Sequence, residues 1–186
     1  CAQPCRLPYS LDDGTSGYLL STKDLMLIDR LPELRDAGVY SFKLEGRMKR
    51  PEYVGVITRA YREALDAAEA YVPYHPDEKT LEDLRQVFNR GGFTEGYALE
   101  KSNAALMSWQ RPNHWGIQVG KIMSMGGPVA QVLLTKNLNN GDGLQARGGK
   151  EADFTYSGKD TPAGMEATVR IADRQVKVGD EVYRLT

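Results

Sequence analysis

Residues 17–71 switch between two hydrophobic periods, and this switching restricts the fold more than any other feature. Gly17-Tyr18-Leu19-Leu20-Ser21 reads as a short buried strand. Thr22-Lys23-Asp24 reads as a helix start, with residues 25–28, Leu31 and Leu34 on a broken apolar face. Pro32 restarts that helix and Gly38 ends it. Val39-Tyr40-Ser41-Phe42-Lys43-Leu44-Glu45 then alternates. Tyr40, Phe42 and Leu44 share one face, and Ser41, Lys43 and Glu45 share the other. Residues 46–50 form a loop, and Pro51 suits the first turn of the next helix. From there Tyr53, Val54, Ile57, Tyr61, Ala64, Leu65 and Ala68 recur at helical spacing to about Tyr71. Strand–helix–strand–helix calls for parallel strands, which need such crossovers.

A parallel sheet is normally apolar on both faces, so the Ser41/Lys43/Glu45 face admits two readings. One is a solvated edge strand. The other is the inner face of a barrel whose polar residues reach its mouth. In (β/α)₈ barrels the reactive groups stand at the C-terminal ends of strands. Lys43, Glu45 and Arg47 lie at such an end and are the candidate catalytic residues. The start of the following helix favours anions. Lys43 and Arg47 can hold a carboxylate or phosphate, with Arg as the bidentate donor. Glu45 can orient Arg47 or move a proton. Lys23, Lys49, Arg50 and Arg90 are further candidate substrate- or anion-binding cations. A complete barrel needs about 250 residues and eight strands. The expectation is therefore α/β plus all-β: the terminal βα units of an incomplete TIM-like barrel over residues 1–109, with earlier strands upstream, then a smaller β domain over residues 110–186.

Residues 77–90 form an amphipathic helix with Leu81, Leu84, Val87 and Phe88 on one face. Asn89-Arg90-Gly91-Gly92 breaks it. Asn89 and Arg90 can simply cap that helix, with Gly91 in the left-handed position. From Trp115 helical periodicity disappears. Residues 117–124, 128–135, 143–147, 167–172 and 181–185 read as short strands, with turns at Gly126-Gly127, Asn139-Asn140-Gly141-Asp142, Gly148-Gly149 and Val178-Gly179-Asp180. The pattern predicts a small closed or nearly closed antiparallel barrel.

The chain has two cysteines, Cys1 and Cys5, with three residues between them. A terminal disulfide, a lipid-bearing N-terminal Cys, a zinc knuckle and an iron–sulfur half-site are all open readings. Both metal readings require ligands beyond this pair, because zinc and four-iron sites usually take about four. His75 and His114 are isolated in sequence. No run of about 18 apolar residues exists to span a membrane, and a net charge of -1 creates no field that by itself demands nucleic acid. There is no His-Glu-x-x-His helix and no Gly-x-Ser-x-Gly elbow.

"CAQPCR", "GYLLSTKDL", "AGVYSFKLEGRMKRPEYV" and "FNRGGFTEGY", in this order and spacing, resemble the collagenase-like peptidase family thirty-two, of unknown catalytic type. The resemblance covers residues 1 to about 125, and "MSWQRPNHWGIQVGKI" resembles the entrance to the extra β-rich region of its long members. It implies a barrel-like domain with a cysteine-bound 4Fe-4S cluster, for which Cys1 and Cys5 match two ligands. Although the family is named for a peptidase, it implies cluster-dependent RNA hydroxylation as well, on tRNA uridine or ribosomal-RNA cytidine. The long architecture is nearest the ribosomal-RNA branch. Prephenate is implied as a co-substrate, its two carboxylates suiting a Lys/Arg pocket. "NNGDGLQAR" and "VKVGDEVYRL" resemble the second-domain barrel of translation GTPases. The expected partners are RNA, the upstream part of the barrel and, through exposed strand edges, a second copy. The expected location is cytoplasmic. A peptidase and a non-catalytic RNA- or protein-binding module are the alternatives.

Overall fold

The computed structural model describes residues 2–46, 48–98, 104–172 and 175–186. The chain divides into two compact units, Cys1–Trp115 and Gly116–Thr186, each with its own hydrophobic core.

The first unit opens with a 3-10 turn, Pro4–Arg6, and a small antiparallel hairpin of β1 (Tyr9–Ser10) and β2 (Ser16–Gly17). Then come β3 (Asp24–Leu25), a 3-10 turn at Ile28–Arg30 and α1 (Leu31–Asp36). Two longer helices follow, α2 (Pro51–Glu69) and α3 (Glu78–Val87), and then β4 (Phe93–Thr94). Pro51 needs no N–H at the start of α2. Ala60, Ala64 and Ala68 are spaced one turn apart and buried, and such small side chains allow close helix approach. They pack with Ile28, Leu31 and Leu84. Asp77 caps α3 by accepting the Thr80 N–H at 2.7 Å. Arg35 of α1 donates to the Ala68 carbonyl at the far end of α2 and lies 4.0 Å from the Tyr71 ring centroid. No described helix is long and apolar enough to cross a membrane.

Three local expectations are corrected. Residues 17–21 are not a strand beyond Gly17, because the Ser21 N–H turns back to the Tyr18 carbonyl at 2.8 Å. The helix does not begin at residues 22–24. Asp24 and Leu25 pair as β3 instead, and Pro32 lies in the first turn of α1, where its missing N–H costs least. Residues 39–45 do not form a ladder. A strand exists only where a neighbour supplies hydrogen bonds, and the parallel partner of β3 is β4 (Asp24 opposite Phe93, Leu25 opposite Thr94). The alternation in 39–45 survives in part. Phe42 packs against the core, whereas Tyr40 is fully exposed and Leu44 is exposed.

The second unit is a curled antiparallel half-barrel of six strands: β5 (Ile117–Gly126), β6 (Val129–Leu134), β7 (Gly143–Arg147), β8 (Ala152–Thr155), β9 (Glu166–Arg170) and β10 (Glu181–Arg184). Their order is β8-β7-β10-β5-β6-β9. Alternate residues such as Val119, Ala130, Val132, Leu144, Ala146, Ala167, Val169 and Val182 fill one core. Two bulges in β5, at Val119 against β10 and at Met123 against β6, bend the sheet. Five strands fall where the sequence placed them. β8 was not foreseen, since Ala-Asp-Phe-Thr between Gly148-Gly149 and Gly158 is short and weakly apolar. The two Gly-Asp turns share one geometry. Asp142 Oδ2 accepts the Asn139 N–H at 2.9 Å, and Asp180 Oδ2 accepts the Lys177 N–H at 3.0 Å. The preceding glycines sit at φ 94° and 95°.

Gly120 shows how tightly this sheet closes. A Cβ placed there would lie 2.5 Å from the Leu133 carbonyl oxygen and 2.8 Å from Val132 Cγ1. We expect Gly120→Ala to destabilise the protein by about 1–3 kcal/mol, since backbone must move. Chemical denaturation followed by near-UV circular dichroism measures it, and an unchanged midpoint would contradict this packing.

Candidate anion-binding cavity

Four short segments of the first unit converge on one polar cluster. β3 carries Asp24, the loop after α3 carries Arg90, the loop before α2 carries Lys49, and the opening 3-10 turn carries Arg6. Buried Asn89 shapes the loop after α3. Its Nδ2 donates to the Arg85 carbonyl at 2.8 Å, and its Oδ1 accepts from the Gly91 and Gly92 N–H groups at 3.1 and 3.0 Å. Gly91 takes φ 77°, the left-handed geometry that favours glycine. Asn89 thus performs the capping role foreseen for it. Arg90 instead turns inward.

Arg90 Nη1 donates to Asp24 Oδ1 at 2.5 Å, and its Nε donates to the Pro112 carbonyl at 3.2 Å. The two charged side chains are only 17% and 23% exposed. Arg6 Nη1 donates to Ser21 Oγ at 2.6 Å and to the Thr22 carbonyl at 2.8 Å, which fixes the chain just before β3. Lys49 Nζ lies 2.8 Å from the Phe88 ring centroid and the Arg90 guanidinium 4.6 Å from it, both cation–π contacts. Phe88 stacks in turn on His114, with centroids 5.2 Å apart.

Asp24, Lys49 and Arg90 of this cluster line a cavity of about 360 Å³. Asp24, Lys49, Tyr53 and Arg90 give it a polar side, and Met26, Leu27, Phe42, Ile57, Leu84 and Phe93 give it an apolar one. Tyr61 also lines it and is held by the Leu27 N–H, which donates to its hydroxyl at 3.1 Å. Burial lowers the Lys49 pKa to about 8, with help from Arg90 and Arg6 and against Asp24. Burial raises the Asp24 carboxyl above its ordinary value, even though Arg90 and Lys49 pull it down. Burial and then Asp24 raise Tyr53. Lys43, Lys49 and Arg90 against Asp24 and Glu45 leave the lining with a net positive charge while Lys49 is protonated, and Arg6 adds to that field, which favours an anion.

The candidate residues from sequence fall in different places. Lys49 and Arg90 meet in the cavity. Lys43 and Glu45 line its outer side, 86% and 73% exposed, with a 3.5 Å ion pair that contributes little in solvent. Arg47 and Cys1 lie outside the described residues. Arg50 is exposed at the start of α2, and Lys23 lines a separate cavity of about 210 Å³ with Trp109 and Trp115. Asp24, Arg6 and Tyr53 were missed. Reading Thr22-Lys23-Asp24 as a helix start disguised Asp24 as a cap, and Arg6 was hidden beside the cysteine pair.

Cys5 is a free, exposed thiol on the Pro4–Arg6 turn. Among the described residues no three or more His, Cys, Asp or Glu side chains are placed to hold a metal ion. The described residues therefore offer at most one thiolate to an iron–sulfur cluster and do not form a cluster site by themselves.

The low Lys49 pKa is directly measurable. Below about 8 its ammonium is the dominant form, and above it the amine is. In competitive acylation read by mass spectrometry, Lys49 should therefore show a midpoint near 8. Arg90→Gln should move that midpoint upward by removing a repulsive neighbour. A midpoint at the ordinary lysine value in the unaltered protein would contradict the burial of this amine.

Comparison with known proteins gives this geometry a context. The model of peptidase family U32 matches residues 1–108. A collagenase of Porphyromonas gingivalis strain W83 is 43% identical over 111 residues, which are 53% of this chain and 26% of that protein. The 23S rRNA 5-hydroxycytidine C2501 synthase of Escherichia coli is 34% identical over 157 residues, 77% of this chain and 24% of that protein. The tRNA hydroxylation protein P of Escherichia coli is 36% identical over 88 residues, 47% of this chain and 19% of that protein. The chain spans about a quarter of the length of the first two and less of the third. No solved structure matches. With its family match covering more than half of the sequence, the chain belongs to peptidase family U32.

Proposed function

We propose that this chain is part of an RNA-base hydroxylase acting on a pyrimidine of ribosomal or transfer RNA. The single observation that carries this reading is the extent of likeness to the 23S rRNA 5-hydroxycytidine synthase. It runs through 77% of the chain, beyond the residues matched by the family model. The positive, partly apolar cavity supports it, since RNA bases are read out of the stack against flat apolar walls and near cations. In this reading Lys49 and Arg90 bind the anionic part of the substrate. Lys43, Glu45 and Arg47 remain assigned to the chemistry. An iron–sulfur cluster with Cys1 and Cys5 among its ligands belongs to the same proposal, as does a barrel-like domain to which the first unit contributes. The parallel pairing of β3 with β4 is compatible with such a barrel. The half-barrel of the second unit is assigned to the class of second-domain barrels of translation GTPases.

Peptidase activity is the second reading, and the identity to the collagenase favours it. The two histidines offer it little. His75 Nδ1 lies 2.9 Å from Asp29 at an exposed position, and the His114 ring is stacked on Phe88.

Nucleoside mass spectrometry of RNA, from cells lacking the gene and from cells complemented with the full-length protein, decides between them. Complementation should restore a hydroxylated pyrimidine. Lys49→Ala and Arg90→Ala should each lower it by about tenfold or more while the protein stays folded, as loss of a charged contact does. Cys5→Ser should lower the iron content of anaerobically purified protein. Gelatin cleavage with no hydroxylated nucleoside would replace this reading with the peptidase one.

A further inference from the structure

One oxygen of a cavity-lining residue is unexplained by the fold. Asp24 Oδ1 is held by Arg90, but Oδ2 is buried and receives no hydrogen bond among the described residues. A buried carboxylate oxygen without a donor is costly, and folded proteins rarely leave one. Its setting describes what it lacks. The cavity volume of about 360 Å³ is within the range of small-molecule sites, about 300–1,000 Å³. Phe42 and Phe93 line it beside aliphatic side chains, so a flat ring can be enclosed. Lys49 and Arg90 supply positive charge at its polar side, and Arg6 adds to their field. The matching ligand has a planar body, an N–H on its edge and an anionic substituent.

Resting on the hydroxylase reading, we propose that Asp24 reads the Watson–Crick edge of an unstacked pyrimidine nucleotide, accepting an edge N–H at Oδ2 while Lys49 and Arg90 hold the nucleotide's negative charge. Both pyrimidines carry a suitable donor, the N4 amine in cytosine and N3–H in uracil. Carboxylates accept from the cytosine amine in nucleic-acid recognition generally. Enzymes that act on a base take it out of the stack and read this edge. Arg90 has a second part in this arrangement. It has donors only, so it holds one carboxylate oxygen and leaves the other free to accept.

That asymmetry makes the proposal testable. In Asp24→Asn the amide oxygen must face the Arg90 donors, which puts the NH₂ group in the place of Oδ2. An acceptor becomes a donor with almost no change in shape. Calorimetric titration of the full-length protein with cytidine 5′-monophosphate, uridine 5′-monophosphate, their N4,N4-dimethyl and N3-methyl derivatives, and ribose 5-phosphate provides the measurement. At least one unmodified nucleotide should bind more tightly than ribose 5-phosphate. Methylation that removes its edge donor should weaken it by about tenfold or more. The cytidine and uridine arms show which base is preferred. Asp24→Asn should erase the difference between parent and methylated nucleotide, with a retained circular-dichroism spectrum and a single cooperative melting transition showing that the fold survives.

If the methylated nucleotides bind the unaltered protein as well as their parents, or no nucleotide outbinds ribose 5-phosphate, the assignment of Asp24 is overturned without recourse to any variant. The hydroxylase reading is judged separately, by the nucleosides recovered from RNA. Donor-dependent binding with no hydroxylated nucleoside would uphold the Asp24 assignment and remove the reaction. Hydroxylated nucleoside without donor-dependent binding would uphold the reaction and remove the assignment.

Discussion

The contact between Arg90 and Asp24 organises the first unit. It joins the parallel strand pair to the loop that leaves α3, across 66 residues of sequence. Because both side chains are mostly withdrawn from water, the contact fixes more than a surface pair would. The neighbouring charges take their character from it. Lys49 feels the Arg90 guanidinium more than the Arg6 one, and the Asp24 carboxyl is caught between burial and three positive charges. Without the pair, the cavity would lose two of the four residues that make its polar side.

Legibility of this arrangement in the sequence depended on whether information was local. The second unit was readable nearly strand by strand, because alternation is a property of adjacent residues and Gly-Asp turns announce themselves. Helix α2 was equally plain, with Pro51 at its start and alanines at one-turn intervals. The two-residue strands β3 and β4 were not readable, because Asp24-Leu25 and Phe93-Thr94 carry no period of their own. Only their pairing across the helices makes them strands. Residues 39–45 show the converse. Their alternation is clean, yet period two specifies a face and not a neighbour, and no described segment supplies the ladder.

The candidate site followed the same division. Lys49 and Arg90 could be selected as cations beside glycine-rich loops, whereas their meeting over Phe88 could not. Asp24 was disguised by a local role, helix capping, which its residue type fits well. Arg6 carried no signal at all. Its reach to Ser21 and Thr22 exists only because the opening turn folds back toward β3. Such residues share a property: each satisfies a partner distant in sequence, and neither composition nor spacing records that partner.

The paired Gly-Asp turns of the half-barrel have a consequence for strand alignment. Asp142 directly precedes β7 and Asp180 directly precedes β10, and these two strands pair antiparallel. The start of each strand therefore lies beside the end of the other. Asp142 meets Arg184, the last residue of β10, at 3.4 Å. Asp180 packs so closely against Gly148, just beyond β7, that a Cβ there would stand 1.9 Å from its Oδ1. The two turns act as opposed stops on a sliding pair. Slippage in one direction pulls Arg184 away from its carboxylate, and slippage in the other drives chain into the space that Gly148 leaves open, so the centre of the sheet has one stable alignment.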